Sequence, residues 1–528
     1  MAAFLDVIFR GIALGAQSAL LGATVFVLVV LRPWQRAPYA DEERPLDQAI
    51  RRLRRVVLVA AFLLAAMQGA SLATAVTALA DESRWPLAAL ASTAFFGNAA
   101  ARIALALALG GVVSLLRRRG RARSTWWLLA GLAVALLAPA AALSHAAARL
   151  GDRATLVALD ALHQLAGGIW IGGLLCLVVI SRRTANRRWS DELLSRFSPL
   201  ALAAVVVLAI AGIGLSLAYI DTPAALIGTA YGVMVLTKSG VLCALLALGA
   251  ANFRAVRRLA TAGPPDHIRV RRYVEVELGL GLTVLLAAAS LTSLPPAADV
   301  RADRATPAEV ANRFAPRWPV FSSPRHAELP AGDREAARTD QDRAWSEYNH
   351  HVAGLFVLVM GVLATVSGLD AKSVTRHWPL VFLLLGAFLF SRNDPGAWPL
   401  GPQGFWESLA EPAVLQHRFF VLLVLAFGVF EWGVRTGRFA SSRWQYVFPL
   451  LCAVGGGVLL SHSHAMLNLK SELLIEVTHT PVALLGTLVG WGRWLELRLP
   501  PPENRLPGRL GAVALALVGV VLLIYRES

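Results

Sequence analysis

About fourteen stretches of the sequence, each roughly 20 residues long, consist almost wholly of apolar side chains. A helix needs about 20 such residues to cross the hydrocarbon core of a bilayer, and lipid requires each crossing segment to satisfy its own backbone hydrogen bonds. The stretches begin near Phe4, Arg55, Pro86, Thr125, Leu156, Phe197, Ala230, Glu275, Asn349, Pro379, Leu415, Trp444, Leu473 and Gly508. The pattern predicts an all-α, polytopic membrane protein.

Composition limits the class of function. Only 16% of the 528 residues are charged, whereas a soluble chain carries about 25%. The net charge of +16 comes from short basic clusters between apolar stretches, and no polar module mixes basic with aromatic residues, so nucleic acid is not an expected partner. The sequence has no ATP-binding P-loop. We therefore expect a membrane-embedded protein that binds or moves a ligand, and not an enzyme.

Arginine and lysine gather in alternate connections, which predicts the orientation of the chain. Cytoplasmic loops carry the excess of basic residues. The basic connections contain Arg32–Arg55, Arg117–Arg123, Arg182–Arg188, Arg254–Arg272, Lys372–Arg376, Arg435–Arg443 and Arg493–Arg509. Their alternation places both termini on the outer side of the membrane and the basic loops in the cytoplasm.

One long polar stretch, 295–346, divides the apolar runs. It mixes both charge signs, contains many prolines, and lies on the predicted outer side. We interpret it as an irregular periplasmic linker. It separates an eight-helix membrane domain, 1–294, from a six-helix domain that contains most of the histidines, 347–528.

Eight of the eleven histidines fall at or just below the predicted outer face. They are His145, His163, His350, His351, His417, His462, His464 and His479. Ionisable side chains inside a membrane cost several kcal/mol and usually mark a site. Neutral imidazole is also the commonest metal ligand. For any single histidine, a ring satisfied by water or backbone is the favoured interpretation, but the set favours metal binding.

Two groups of polar residues, each spaced so that its members share one face of a helix, support this prediction. Asp160 and His163 are three residues apart, and a glycine-rich stretch that would let another helix approach closely follows them, 167–173. Glu472, Glu476 and His479 form one stripe of a later helix, since they stand at positions i, i+4 and i+7. Carboxylates and imidazoles sharing a stripe in an apolar span indicate a functional site.

The predicted metal-binding residues therefore form two groups. The first is His163, as a ligand or gate at the outer mouth, with Asp160 one turn above it; His145, at the end of the fourth span, is a further candidate. The second uses His464, Glu476 and His479, with His417 and His351 favoured over His462 as additional ligands, and with His350 and Glu472 as further candidates. Arg102, Tyr231 and Lys238 are supporting intramembrane polar residues, for which interhelical hydrogen bonds or ion pairs are the favoured interpretation.

The fifth to eighth spans resemble a known family. The run Asp160–Leu174 is similar to the signature of the bacterial copper-resistance protein D (CopD) family. Arg196–Ser198, then Tyr231 with Lys238, then Asn252–Arg254 follow in the family's order. The resemblance covers about 143–294, and the rear half resembles the extension of longer members more loosely. It implies an inner-membrane protein of copper uptake or handling, often with a periplasmic copper-binding partner.

Three hypotheses remain open from the sequence. The first is copper ligation by histidines at the outer face. The sequence has only five methionines, so it does not indicate the methionine-rich binding sites that favour Cu(I). The oxidation state of the copper therefore stays open. The second is a haem b protein with His417, His464 or His479 as axial ligands. The third is a structural subunit without a ligand.

Overall fold

The computed structural model describes residues 2–31, 43–83, 86–115, 123–149, 151–181, 187–258, 264–325, 329, 339–368, 374–439, 442–461 and 470–527. Throughout this part of the chain the regular structure is helical. Fourteen helical segments of the described residues are long and apolar enough to cross a membrane. The predicted all-α class and number of spans are therefore confirmed.

The first twelve helices are α1 Ala2–Val25, α2 Glu43–Ser83, α3 Leu87–Ala91, α4 Ala94–Leu115, α5 Arg123–Ala135, α6 Leu137–Ala142, α7 His145–Ala148, α8 Arg153–Ser181, α9 Arg187–Tyr219, α10 Ala225–Gly228, α11 Ala230–Arg258 and α12 Pro264–Leu291. A π-helical segment, Phe26–Leu31, continues α1. The other eight are α13 Pro307–Arg313, α14 Asp340–Ser367, α15 Val381–Arg392, α16 Phe405–Ala410, α17 Pro412–Arg435, α18 Val447–Ser461, α19 Lys470–Arg498 and α20 Arg505–Leu523. Short 3₁₀ turns lie at Ala297–Asp299, Val374–Leu380 and Arg443–Tyr446.

The chain forms two compact units. The front unit contains Ala2–Leu226 and Met234–Arg301, and the rear unit contains Ile227–Val233 and Ala302–Ser528. The rear core is built from large apolar side chains of several helices, among them Met360, Phe382 and Phe448. The predicted three-part division of the chain stays a prediction.

Glycines bring two helices of the front unit into backbone contact. A Cβ atom added to Gly172 of α8 would lie 1.9 Å from the carbonyl oxygen of Ser18 in α1. One added to Gly22 of α1 would lie 2.3 Å from the carbonyl carbon of Gly172. No side chain fits at either position. The predicted role of the 167–173 glycines in close helix approach is confirmed, and α1 is the partner.

Four helices, α2, α9, α12 and α14, begin about ten residues before the predicted spans, because turns that contain charged residues continue them beyond their apolar parts. The second span begins in the helix that starts at Glu43, and the ninth span lies in α14, which starts at Asp340. The stretch predicted to be an irregular linker also contains α13. A capping box of Thr306 and Glu309 begins this helix, and its T-x-x-E pattern was readable in the sequence.

Candidate metal centre

Two predicted ligands meet in the rear unit. His350 is the eleventh residue of α14 and His479 is the tenth residue of α19, and their ring centroids are 5.7 Å apart at an interplanar angle of 89°. The two residues are 129 positions apart in the sequence, so the contact depends on the packing of the bundle. The contact brings two of the predicted residues together, but their role as ligands stays a prediction. Which side of the membrane the pair faces stays a prediction.

Backbone carbonyls fix the orientation of both imidazoles. Nδ1 of His350 lies 2.8 Å from the carbonyl oxygen of Ser346, and Nδ1 of His479 lies 2.9 Å from that of Ile475. A carbonyl only accepts, so each ring carries its proton on Nδ1, and Nε2 holds the lone pair. Metal-bound histidines commonly show this arrangement, in which the second ring nitrogen donates to a backbone carbonyl.

His351 follows His350 in the chain but occupies a different environment. Its ring is 0% exposed, and Nδ1 accepts a 2.9 Å hydrogen bond from the backbone N–H of Val320. The proton therefore lies on Nε2, which is 3.0 Å from the carbonyl oxygen of Tyr525. Both nitrogens of His351 are occupied by backbone partners. This arrangement supports a structural role for His351, although it was predicted as a ligand.

His417 is partnered by a carboxylate. Its Nδ1 lies 2.9 Å from Oδ1 of the buried Asp394, which follows α15. His417 begins the eleventh span and Asp394 ends the tenth, so this pair joins two helix ends. The imidazole is partly exposed, and metal-bound histidines also commonly have a carboxylate hydrogen-bonded to the ring nitrogen that does not bind the metal.

Several predicted ligands cannot be placed. His462 and His464 lie outside the described residues, and so does the side chain of Glu472. Glu476 is buried on the first part of α19. Within the described part of the chain, no three His, Cys, Asp or Glu side chains come close enough together to hold an ion. The described residues therefore contain a His350–His479 pair but no complete metal site, and a ligand role for the two histidines stays a prediction.

In the front unit, Asp160 and His163 contact different partners. Oδ2 of Asp160 accepts a 2.9 Å hydrogen bond from the side chain of Gln164. Nδ1 of His163 lies 3.1 Å from the carbonyl oxygen of Leu208 in α9, and its ring lies over Gly212 of that helix. The absence of a Cβ atom at Gly212 makes room for the imidazole. His163 therefore packs against α9, while Asp160 belongs to a polar chain.

This polar chain leads from Asp160 to Arg102 of α4. Gln17 of α1 donates to Gln164 at 2.9 Å, and Arg102 donates to Gln17 at 2.7 Å. A second nitrogen of Arg102 donates 2.7 Å to Gln68 of α2. The interhelical hydrogen bonds expected of Arg102 are confirmed. Every donor points toward Asp160, so the chain runs from a cation to a carboxylate through two neutral amides.

Of the remaining candidates, Lys238 adds positive charge to the front-unit group. Lys238 of α11 interacts electrostatically with both Asp160 and His163. His145, at the start of α7, packs edge-on against Tyr219, and burial lowers the pKa of its imidazole. The cations Lys238 and Arg102 disfavour a second cation near Asp160. Tyr231 is buried and belongs to the rear unit. On charge grounds, the rear histidine pair is the better candidate for a metal ion.

Sequence reasoning missed two groups of residues near these sites. Tyr525 and Glu527 follow the last apolar run, and they lie beside His350 in the structure. Gln17, Gln68 and Gln164 link the front-unit charges but carry no metal-binding signal. Gln17 and Gln68 do stand in largely apolar runs, and that signal could have identified them as intramembrane hydrogen-bonding residues.

Two family models match the chain. Residues 1–155 match the N-terminal domain of copper resistance protein D-like proteins, and residues 191–291 match copper resistance protein D. The resemblance found in the sequence is confirmed, and it reaches further toward residue 1 than 143. The run 160–174 lies between the two matched stretches. Together with the fourteen candidate spans, the matches make this chain a multi-pass protein of a bacterial membrane.

One curated relative is similar to part of the chain. The copper transport protein CutJ of Bacillus subtilis (strain 168) is 34% identical over 163 residues. These residues are 30% of this chain and 29% of the relative, so the match spans less than a third of the relative's length. No solved structure matches the chain.

Proposed function

Because residues 1–155 and 191–291 match models of copper resistance protein D and of its N-terminal domain, we propose that this protein transports or handles copper at the bacterial inner membrane. The copper ion is its cargo. We place the ligands in the rear unit, where His350 and His479 come together, and we assign that end of the bundle to the periplasmic face. The basic connections of the sequence support this orientation. The relative's name, a copper transport protein, agrees with the proposal.

The pairing of His350 and His479 is the observation that carries the proposal. Both rings carry a proton on Nδ1, which leaves a lone pair on Nε2. Imidazole nitrogens of this kind are ligands for copper. With metal–nitrogen bonds of about 2.0–2.1 Å, two imidazoles on one ion have ring centroids up to about 6.4 Å apart. The separation of 5.7 Å fits this limit.

The remaining ligands are proposed from the sequence. The connection between α18 and α19 contains His462 and His464, and it leads directly into the helix that carries Glu476 and His479. A short connection makes α18 and α19 antiparallel neighbours. We propose His464 as the third donor, with Glu476 as a buried carboxylate near the ion. Copper entering from a periplasmic copper-binding protein would meet this set first.

Copper content of purified protein tests the site. His350→Ala and His479→Ala should each lose the bound copper that the wild-type protein retains after dialysis. In each variant only one imidazole of the pair is left to bind the ion. His377→Ala is the matched control, since His377 begins the tenth span and its Nδ1 accepts a hydrogen bond from Trp432. It should retain wild-type copper.

Two results would contradict the proposal. Wild-type copper content in both His350→Ala and His479→Ala would show that this histidine pair does not bind the copper. A Soret band in the purified protein that disappears in these variants would instead identify the pair as axial ligands of haem b. Accumulation of copper inside vesicles that contain the purified protein would then show transport, which copper content alone does not test.

A further inference from the structure

The segment that follows α20 places an aromatic ring against both histidines. Tyr525 is 2% exposed, and its ring stacks on His350 with centroids 3.8 Å apart and planes inclined by 22°. The same ring meets His479 edge-on at 5.7 Å. Three rings from three parts of the rear unit therefore contact one another, and the tyrosine touches each imidazole.

The backbone of Tyr525 is held from two directions. Its carbonyl oxygen accepts hydrogen bonds from Arg317 at 2.9 Å and from Nε2 of His351 at 3.0 Å. His351 is itself fixed by the backbone of Val320. This gives a role to a buried histidine whose two nitrogens are both occupied: it anchors the residue that packs on its neighbour, His350.

The phenol end of Tyr525 is fixed as well. Its hydroxyl donates a 2.7 Å hydrogen bond to Oε2 of Glu527, which also accepts from the hydroxyl of Ser346. The backbone N–H of Glu527 donates to Glu347 at 3.1 Å, and its carbonyl oxygen accepts from Arg313 at 3.0 Å. Ser346 also supplies the carbonyl that orients His350. One set of contacts thus fixes both the tyrosine and the histidine.

We propose that Tyr525 is a positioning residue for copper ligation by His350 and His479. The inference rests on the proposed function. A ring stacked on one face of His350 prevents that imidazole from rotating, so its Nε2 stays aimed as the Ser346 carbonyl sets it. Groups that orient ligand side chains raise metal affinity about 10- to 100-fold. The phenol oxygen is directed to Glu527, so Tyr525 acts through the histidines and does not ligate the ion.

Copper affinity, measured by competition with chelators for Cu(I) and for Cu(II), tests this role in the full chain. Tyr525→Leu removes the stacked ring and should weaken binding about 10- to 100-fold. Tyr525→Phe keeps the ring and should bind within about threefold of wild type, which is the rescue that a positioning role requires. Phe448→Leu is the control for lost packing, since Phe448 lies in the apolar core of the rear unit. It should lower the melting temperature without changing affinity.

The outcomes distinguish this inference from the proposed function. Wild-type affinity in Tyr525→Leu, while His350→Ala and His479→Ala lose copper, would overturn the positioning role alone. Equal losses in Tyr525→Phe and Tyr525→Leu would also overturn it, because the ring would not be the group that matters. Undiminished copper in both histidine variants would overturn the proposed function and this inference together.

Discussion

Glu431 provides the sharpest stability test of the rear unit. Its carboxylate is 0% exposed at the end of α17, between Arg435 of the same helix and Arg493 of α19. Oε1 lies 2.6 Å from Nε of Arg435 and 3.0 Å from Nε of Arg493. Glu496 completes the cluster at 2.9 Å from Arg493. Two cations and two anions therefore balance in a buried cluster that joins α17 to α19.

Glu431→Gln changes the charge of this cluster without changing its shape. An ion pair at about 4 Å contributes about 4 kcal/mol at an effective dielectric constant of about 20, and Glu431 makes two such pairs. The desolvation of the carboxylate offsets part of this gain. Arg493 keeps Glu496 in the variant, whereas Arg435 loses its hydrogen-bonded carboxylate. We therefore expect a loss of about 3–5 kcal/mol in the free energy of unfolding, the cost of breaking a buried pair.

Equilibrium unfolding in mixed detergent micelles, followed by tryptophan fluorescence, measures this loss. Glu192→Gln is the matched control, because Glu192 pairs with Arg196 one turn away in a partly exposed position. That change should cost at most about 1 kcal/mol. The double variant Glu431→Gln/Arg435→Met should recover part of the loss, since it also removes the cation left without its carboxylate. A Glu431→Gln variant no less stable than the control would refute the argument.

Two further predictions concern pH and orientation. The Lys470 ammonium, 2.6 Å away, and the Thr306 backbone lower the pKa of Glu309 to about 2. Since this lies below the ordinary value of 4.5, the contact stabilises the rear unit above about pH 4.5 and is lost as pH falls toward 2. Acid unfolding curves of Glu309→Gln should lack this component, and identical curves would contradict the assignment. For orientation, an alkaline-phosphatase fusion near Ser322 should be active and one in the 182–188 loop inactive. The reverse result would invert the assignment of the histidine pair to the periplasm.

The sequence predicted the class of fold because its strongest signal is local. A run of about 20 apolar residues specifies a spanning helix wherever it stands, and all fourteen were found in this way. The glycines at 167–173 likewise predicted a close helix contact, since their spacing alone creates a smooth face. The sequence did not indicate which helix fills that face; the structure shows that it is α1.

The candidate site was predicted in part. The cost of an imidazole in lipid predicts His350 and His479 as site residues, and the structure brings them together. The same rule predicts His351, yet both nitrogens of its ring form hydrogen bonds with backbone groups. Neighbouring residues of a helix point about 100° apart, so only one of two adjacent histidines can face a given partner. Which one does so depends on how α14 packs against the other helices of the rear unit.

The sequence by itself therefore determined the number of membrane spans, their apolar character and the family resemblance. These follow from hydrophobicity and spacing within about 20 residues. Only the tertiary structure decided that Tyr525 stacks on His350, 175 positions earlier, and that Glu431 lies between two arginines. Such contacts carry no local signal. A tyrosine after the last apolar run is typical of any membrane interface, and it touches a histidine of another helix only because the packing of the bundle puts both at the same end.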